Sequence, residues 1–100
     1  NRRLKQVAQI VNRIKQKNKH LISFIAPDYA SLGFCYYYNP NYFSQAPHTT
    51  DLLQNDLIFP ISSKQSATEI LNTHSSKQCI YIEAGSEFID PNQLILKTQK

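Results

Sequence analysis

One hundred residues, 41% of them hydrophobic and 18% charged, suit a single independently folding domain that needs no metal or disulfide staple. The longest apolar run, Leu21 to Ala26, is far too short to cross a bilayer, and two cysteines do not make a disulfide framework. The net charge of +4 is uneven: residues 1–19 hold seven cations and no acid, which leaves residues 20–100 at −3.

The cations of that first segment are Arg2, Arg3, Lys5, Arg13, Lys15, Lys17 and Lys19. Leu4, Val7, Ala8, Val11 and Ile14 recur at the spacing of an amphipathic helix, with Ile10 widening the stripe and cations filling the other face. A helix over about residues 2–18 follows, its last turn basic, as the helix dipole favours. The chain opens on Asn1 straight into this helix, with no signal peptide, and so reads as a piece of a longer protein. Residues 1–19 form its basic helix and residues 20–100 its α/β core.

Leu21 to Ala26 lacks polar alternation, so it reads as a strand buried on both faces. Asp28 is placed to cap a helix from Tyr29 to about Tyr38, which Asn39-Pro40-Asn41 ends. Tyr42-Phe43 suggests a short strand, and Thr50 a cap for a brief helix over Asp51 to Gln54. Leu57 to Ile61 is the next strand, with Pro60 pointing to an edge or a strand end. Ser66-Ala67-Thr68-Glu69 has the capping-box pattern for a helix ending near His74-Ser75. Cys79 to Glu83 is another buried-type strand, followed by a turn at Gly85. Asp90-Pro91-Asn92-Gln93 then has the signature of a helix start, with Leu94, Ile95 and Leu96 opening that helix. Strands alternating with helices of these lengths indicate a small α/β, Rossmann-like three-layer domain with a mostly parallel sheet of three or four strands.

The sequence offers little chemistry. The first strand runs into Ala26-Pro27-Asp28-Tyr29, an acidic turn without the glycines a dinucleotide fold requires, and no P-loop is present. His20, His48 and His74 stand far apart without a second ligand at helical or turn spacing, so no metal and no cofactor is expected. Cys35 and Cys79 sit among apolar neighbours and read as buried thiols rather than nucleophiles or a bridge. Asp28 lies where open α/β sheets place functional residues, yet a plain N-cap explains it as well. The Tyr36-Tyr37-Tyr38 run cannot turn all three rings into one core, because successive helical residues point about 100° apart. One or two of them should reach a surface suited to binding or to a membrane interface, or simply be wet. Charge confined to one terminal helix fits an anionic membrane surface at least as well as nucleic acid, and a plain solvated face equally.

Leu21-Ile22-Ser23-Phe24-Ile25-Ala26-Pro27-Asp28-Tyr29, followed by Phe34-Cys35-Tyr36-Tyr37-Tyr38, resembles the region after the last membrane helix of some bacterial multispanning glycosyltransferases. These are the protein mannosyltransferase-like and aminoarabinose transferase-like enzymes. The likeness continues through a strand at Asp56 to Pro60, then Ile80-Tyr81-Ile82-Glu83 and Asp90-Pro91-Asn92, and covers roughly residues 20–96. It implies an extracytoplasmic (periplasmic), non-catalytic accessory domain on the inner membrane. Its partner would be the membrane-embedded part of the same chain, where acidic loops use a polyprenyl-phosphate-linked sugar donor. None of those loops lies in this sequence, so the resemblance assigns no catalytic residue to it. A stand-alone basic module that meets anionic lipid, or less favourably nucleic acid, through the first helix is the rival reading. A small hydrolase or thiol enzyme ranks third. The surface residues available for either kind of contact are Arg2, Arg3, Lys5, Arg13, Lys15, Lys17, Lys19, Tyr36, Tyr37 and Tyr38.

Overall fold

The computed structural model describes residues 2–45, 47–75, 78–83 and 95–98, with the backbone alone for 2, 3 and 95–98. The elements in chain order are α1 (Arg2–Lys17), β1 (Ile22–Ala26), α2 (Ser31–Tyr38), α3 (Pro40–Phe43) and α4 (Thr49–Asn55). They continue with β2 (Ile58–Pro60), α5 (Lys64–Thr73), β3 (Gln78–Glu83) and β4 (Ile95–Thr98). The four strands form one sheet in the order β2-β1-β3-β4. Strand β1 is parallel to both neighbours, and β4 joins β3 antiparallel. This is the expected α/β, Rossmann-like architecture.

Register explains why β1 reads as uninterrupted apolar sequence. Phe24 lies opposite Phe59 on one side and Tyr81 on the other, while Ile25 lies opposite Pro60 and Ile82. Side chains alternate between two faces, and helices cover both. Ile25, Ile58, Ile80 and Ile82 join Leu4, Val7, Ala8 and Val11 of α1, Phe34 and Cys35 of α2, and Leu53 of α4. Ile22, Phe24, Phe59, Ile61 and Cys79 face Ala67 and Leu71 of α5. Each fully buried aliphatic or Phe side chain contributes about 1.5–3 kcal/mol, so the apolar stripe of α1 is structural: it builds one of the two cores. Helix α1 also lies close against α2. A Cβ at Gly33 would come within 2.9 Å of Leu4 Cδ2, so a larger residue there would have to push the Leu4 side chain aside.

Pro60 falls at the end of β2, which is an edge strand, as its missing N–H requires. Other boundaries differ from the sequence reading, each for a local reason. Asp28 caps nothing. It heads a single 3-10 turn, Asp28–Ala30, closed by Ala30 N–H donating to Pro27 O at 3.0 Å, and α2 starts only at Ser31. Tyr42-Phe43 is helical rather than a strand, because Asn39 Oδ1 accepts from Asn41 N–H and Pro40 occupies the first helical position. Helix α4 begins at Thr49, so Thr50 lies inside it, and the Thr49 hydroxyl donates to Tyr42 O at 2.9 Å. Helix α5 begins at Lys64, three residues before the expected box takes hold. Ser63 is already extended there and accepts from Ser66 N–H at 3.2 Å.

The last difference is the largest. Ile95–Thr98 does not continue a helix; it pairs with β3, placing Ile95 opposite Tyr81 and Thr98 opposite Gln78. Without that strand the outer edge of β3 would present a row of unpaired backbone groups. The expected turn at Gly85 and helix start at Asp90-Pro91 lie outside the described residues.

Candidate functional site

Three surface features sit on the α1/α2 side of the sheet. The first is the basic face of α1. Lys5, Arg13, Lys17 and Lys19 are exposed, whereas the side chains of Arg2 and Arg3 are outside the description. Lys15 does not belong to that face. It is buried, and its Nζ donates to Leu21 O at 2.7 Å, so it ties α1 to the start of β1 instead of meeting a partner. Burial lowers its pKa from the ordinary lysine value, and the nearby Asp56 carboxylate offsets part of that.

The second feature is an apolar stripe along α2. Leu32 and Tyr36 stand four residues apart on one face of α2, and Tyr29 precedes them in the 3-10 turn. Tyr29, Leu32 and Tyr36 are 79%, 50% and 52% exposed, and Phe43 from α3 extends the patch at 41%. Tyr36 holds edge-to-face contacts with Phe43 (centroids 5.3 Å apart) and with Tyr37 (5.0 Å). The tyrosine triplet divides as helical geometry demands. Tyr36 points to the surface, Tyr37 is half-buried against the α1/α2 core, and Tyr38 turns inward to stack on Phe34. Leu4 rests on Gly33, so the N-terminal part of α1 packs against α2.

The third feature is a groove of about 370 Å³ where the C-terminal ends of α1, α2 and α4 converge. Asn12, Lys15, Gln16 and Lys19 line one wall, and Tyr38, Asn55 and Asp56 the other. The Tyr38 hydroxyl donates to Asp56 Oδ2 at 2.8 Å. Burial, reinforced by that carboxylate, pushes the Tyr38 pKa well above its ordinary value, and the same two causes raise Tyr42. The Tyr38 hydroxyl therefore keeps its proton near neutral pH and stays a donor to Asp56.

Sequence reasoning missed Asp56, Tyr29, Leu32 and Phe43. The stripe was readable from its spacing. Asp56 was not, because its partner Tyr38 is 18 residues away with no local pattern between them.

The cysteines and histidines that the sequence offered stand apart from this groove. Cys35 and Cys79 are both buried and unbridged. Burial raises the Cys35 thiol to about 11, the opposite of what a nucleophile needs. His48 lies 3.9 Å from Asp51 in an exposed pair on the first turn of α4. Among the described residues no three His, Cys, Asp or Glu side chains gather to hold a metal, and no helix is long and apolar enough to cross a membrane. No protein-family model, curated protein or solved structure matches the chain.

Proposed function

We propose that the chain is a non-catalytic accessory domain of an integral-membrane glycosyltransferase that takes sugar from a polyprenyl-phosphate donor. The domain lies on the extracytoplasmic face and packs on the membrane-embedded part of the same protein. The observation that carries this reading is the exposed Tyr29–Leu32–Tyr36–Phe43 stripe beside a basic helix. Rings with polar tips, flanked by cations, are the composition favoured where protein meets the water–lipid boundary. Of the residues that carry the resemblance, the Pro27-Asp28-Tyr29 turn and the aromatic end of α2 hold the stripe, while the β1 run serves both cores.

The reading frame that encodes Asn1–Lys100 tests the proposal. It is expected to encode several apolar spans of about 20 residues in the same protein; a frame with none refutes the reading. The purified 100-residue chain is expected to transfer no sugar from a lipid-linked donor.

The exposed cations of α1 favour a second reading, a binding module for anionic lipid. Each cation near an anionic leaflet contributes about 1 kcal/mol, an attraction that weakens as the Debye length falls below about 8 Å. This reading predicts that the isolated domain sediments with anionic vesicles at low salt and is released at high salt. Sequence-selective binding to a nucleic acid would replace it.

A further inference from the structure

We propose that the groove between the ends of α1, α2 and α4 binds a neutral polyhydroxylated ligand, the size of one hexose unit. The inference rests on the groove alone and stands whether or not the glycosyltransferase reading does. Its volume, about 370 Å³, falls within the roughly 300–1,000 Å³ of small-molecule sites.

The lining chemistry selects the ligand class. Asn12, Gln16 and Asn55 each present a carbonyl acceptor beside an NH₂ donor, and Asp56 adds further acceptor capacity. A sugar hydroxyl both donates and accepts, so neighbouring hydroxyls can satisfy such mixed groups in pairs. A free anion is a poor fit. Helices α2 and α4 end at the groove, with Tyr38 and Asn55 their last residues, and α1 lines it from Asn12 onward. Helix C-termini offer carbonyl oxygens and a negative dipole end, rather than the N–H groups that hold phosphate. A cation is disfavoured by Lys15 and Lys19. A flat apolar ligand would find one ring, that of Tyr38, and otherwise polar walls.

The groove is also held in shape before any ligand arrives. Tyr38 orients the Asp56 carboxylate at 2.8 Å, and the buried Lys15 ammonium fixes the end of α1 to Leu21 O at 2.7 Å. Groups already locked by such partners lose little freedom when a ligand binds, which is the condition for selective recognition.

The test is an amide ¹H–¹⁵N titration of the 100-residue chain with methyl α-glucoside and myo-inositol, and separately with sulfate. The expected result is saturable shifts confined to the amides around Asn12, Gln16, Asn55 and Asp56, with a Kd of roughly 1–10 mM for a neutral polyol. Asn12 and Asn55 are exposed, so the double variant Asn12→Ala/Asn55→Ala should keep its fold and bind at least tenfold more weakly, about 1.4 kcal/mol. The proposal is overturned if neither polyol gives saturable shifts by about 100 mM. Sulfate binding in preference to the polyols, or unchanged affinity in the double variant, overturns it equally.

Discussion

Replacing Phe24 with Ala probes the centre of the fold. Phe24 is fully buried on the middle strand of the parallel trio, with ring centroids 6.2 Å from Phe59 and 6.4 Å from Tyr81. Truncation removes the transfer free energy of the ring and leaves a cavity, together about 3–5 kcal/mol. The upper half of that range is expected. β1 is hydrogen-bonded on both sides, so its walls cannot close the gap, and two aromatic contacts worth about 0.5–1.5 kcal/mol each are lost as well. A domain of this size has about 5–15 kcal/mol of stability in all, and its Tm falls by about 4–8 °C per kcal/mol. The variant should therefore melt at least about 16 °C lower, or not fold. Urea unfolding followed by far-UV circular dichroism measures the loss. Leu32→Ala, half-exposed on α2, is the control and should stay within about 0.5–1 kcal/mol of the parent. A loss below about 1 kcal/mol at Phe24 would refute the placement of β1 at the core.

Two further outcomes follow from buried polar groups. The Ser23 hydroxyl is fully buried and makes no hydrogen bond among the described residues, so Ser23→Ala should be neutral or stabilising by up to about 1 kcal/mol; clear destabilisation in urea would reveal a partner. Burial raises the Cys35 thiol from 9.0 to about 11, so between those values the unfolded chain releases the proton while the folded chain keeps it, and stability falls as pH rises. The stability difference between parent and Cys35→Ala should therefore shrink as pH is raised through that window in parallel urea titrations. A constant difference would show that the thiol ionises alike in both states.

The elements that were legible in the sequence are those whose local pattern and tertiary role agree. Leu4, Val7, Ala8 and Val11 mark both the helix and the face that the sheet covers, and the Ile22–Ala26 run matches a strand with helices on both sides. Misreadings arose where two local signals competed. Asn39-Pro40 ended one helix and, by its own capping chemistry, started the next, so Tyr42-Phe43 became helical. Ile95-Leu96 looked like a helix opening, but the free edge of β3 is a long-range demand that no local spacing expresses. Lys15 was placed with the exposed cations although it lies four residues beyond Val11 and seven beyond Ala8, on the buried face. Its charge concealed a position that its spacing disclosed. Asp56 carries no such signal, because the groove exists only once α1, α2 and α4 have been brought together.

The central claim is that the stripe on α2 is the face that meets the membrane-embedded part of the same protein. It is tested most directly by site-specific photocrosslinking in native membranes. A photoreactive residue replaces Tyr36 in the full reading frame, and another replaces Glu69, which is exposed on α5 across the sheet from the stripe. The account predicts intramolecular crosslinks from position 36 into membrane-spanning peptides, and none from position 69. Equal crosslinking from both positions, or crosslinks from position 69 alone, would contradict it.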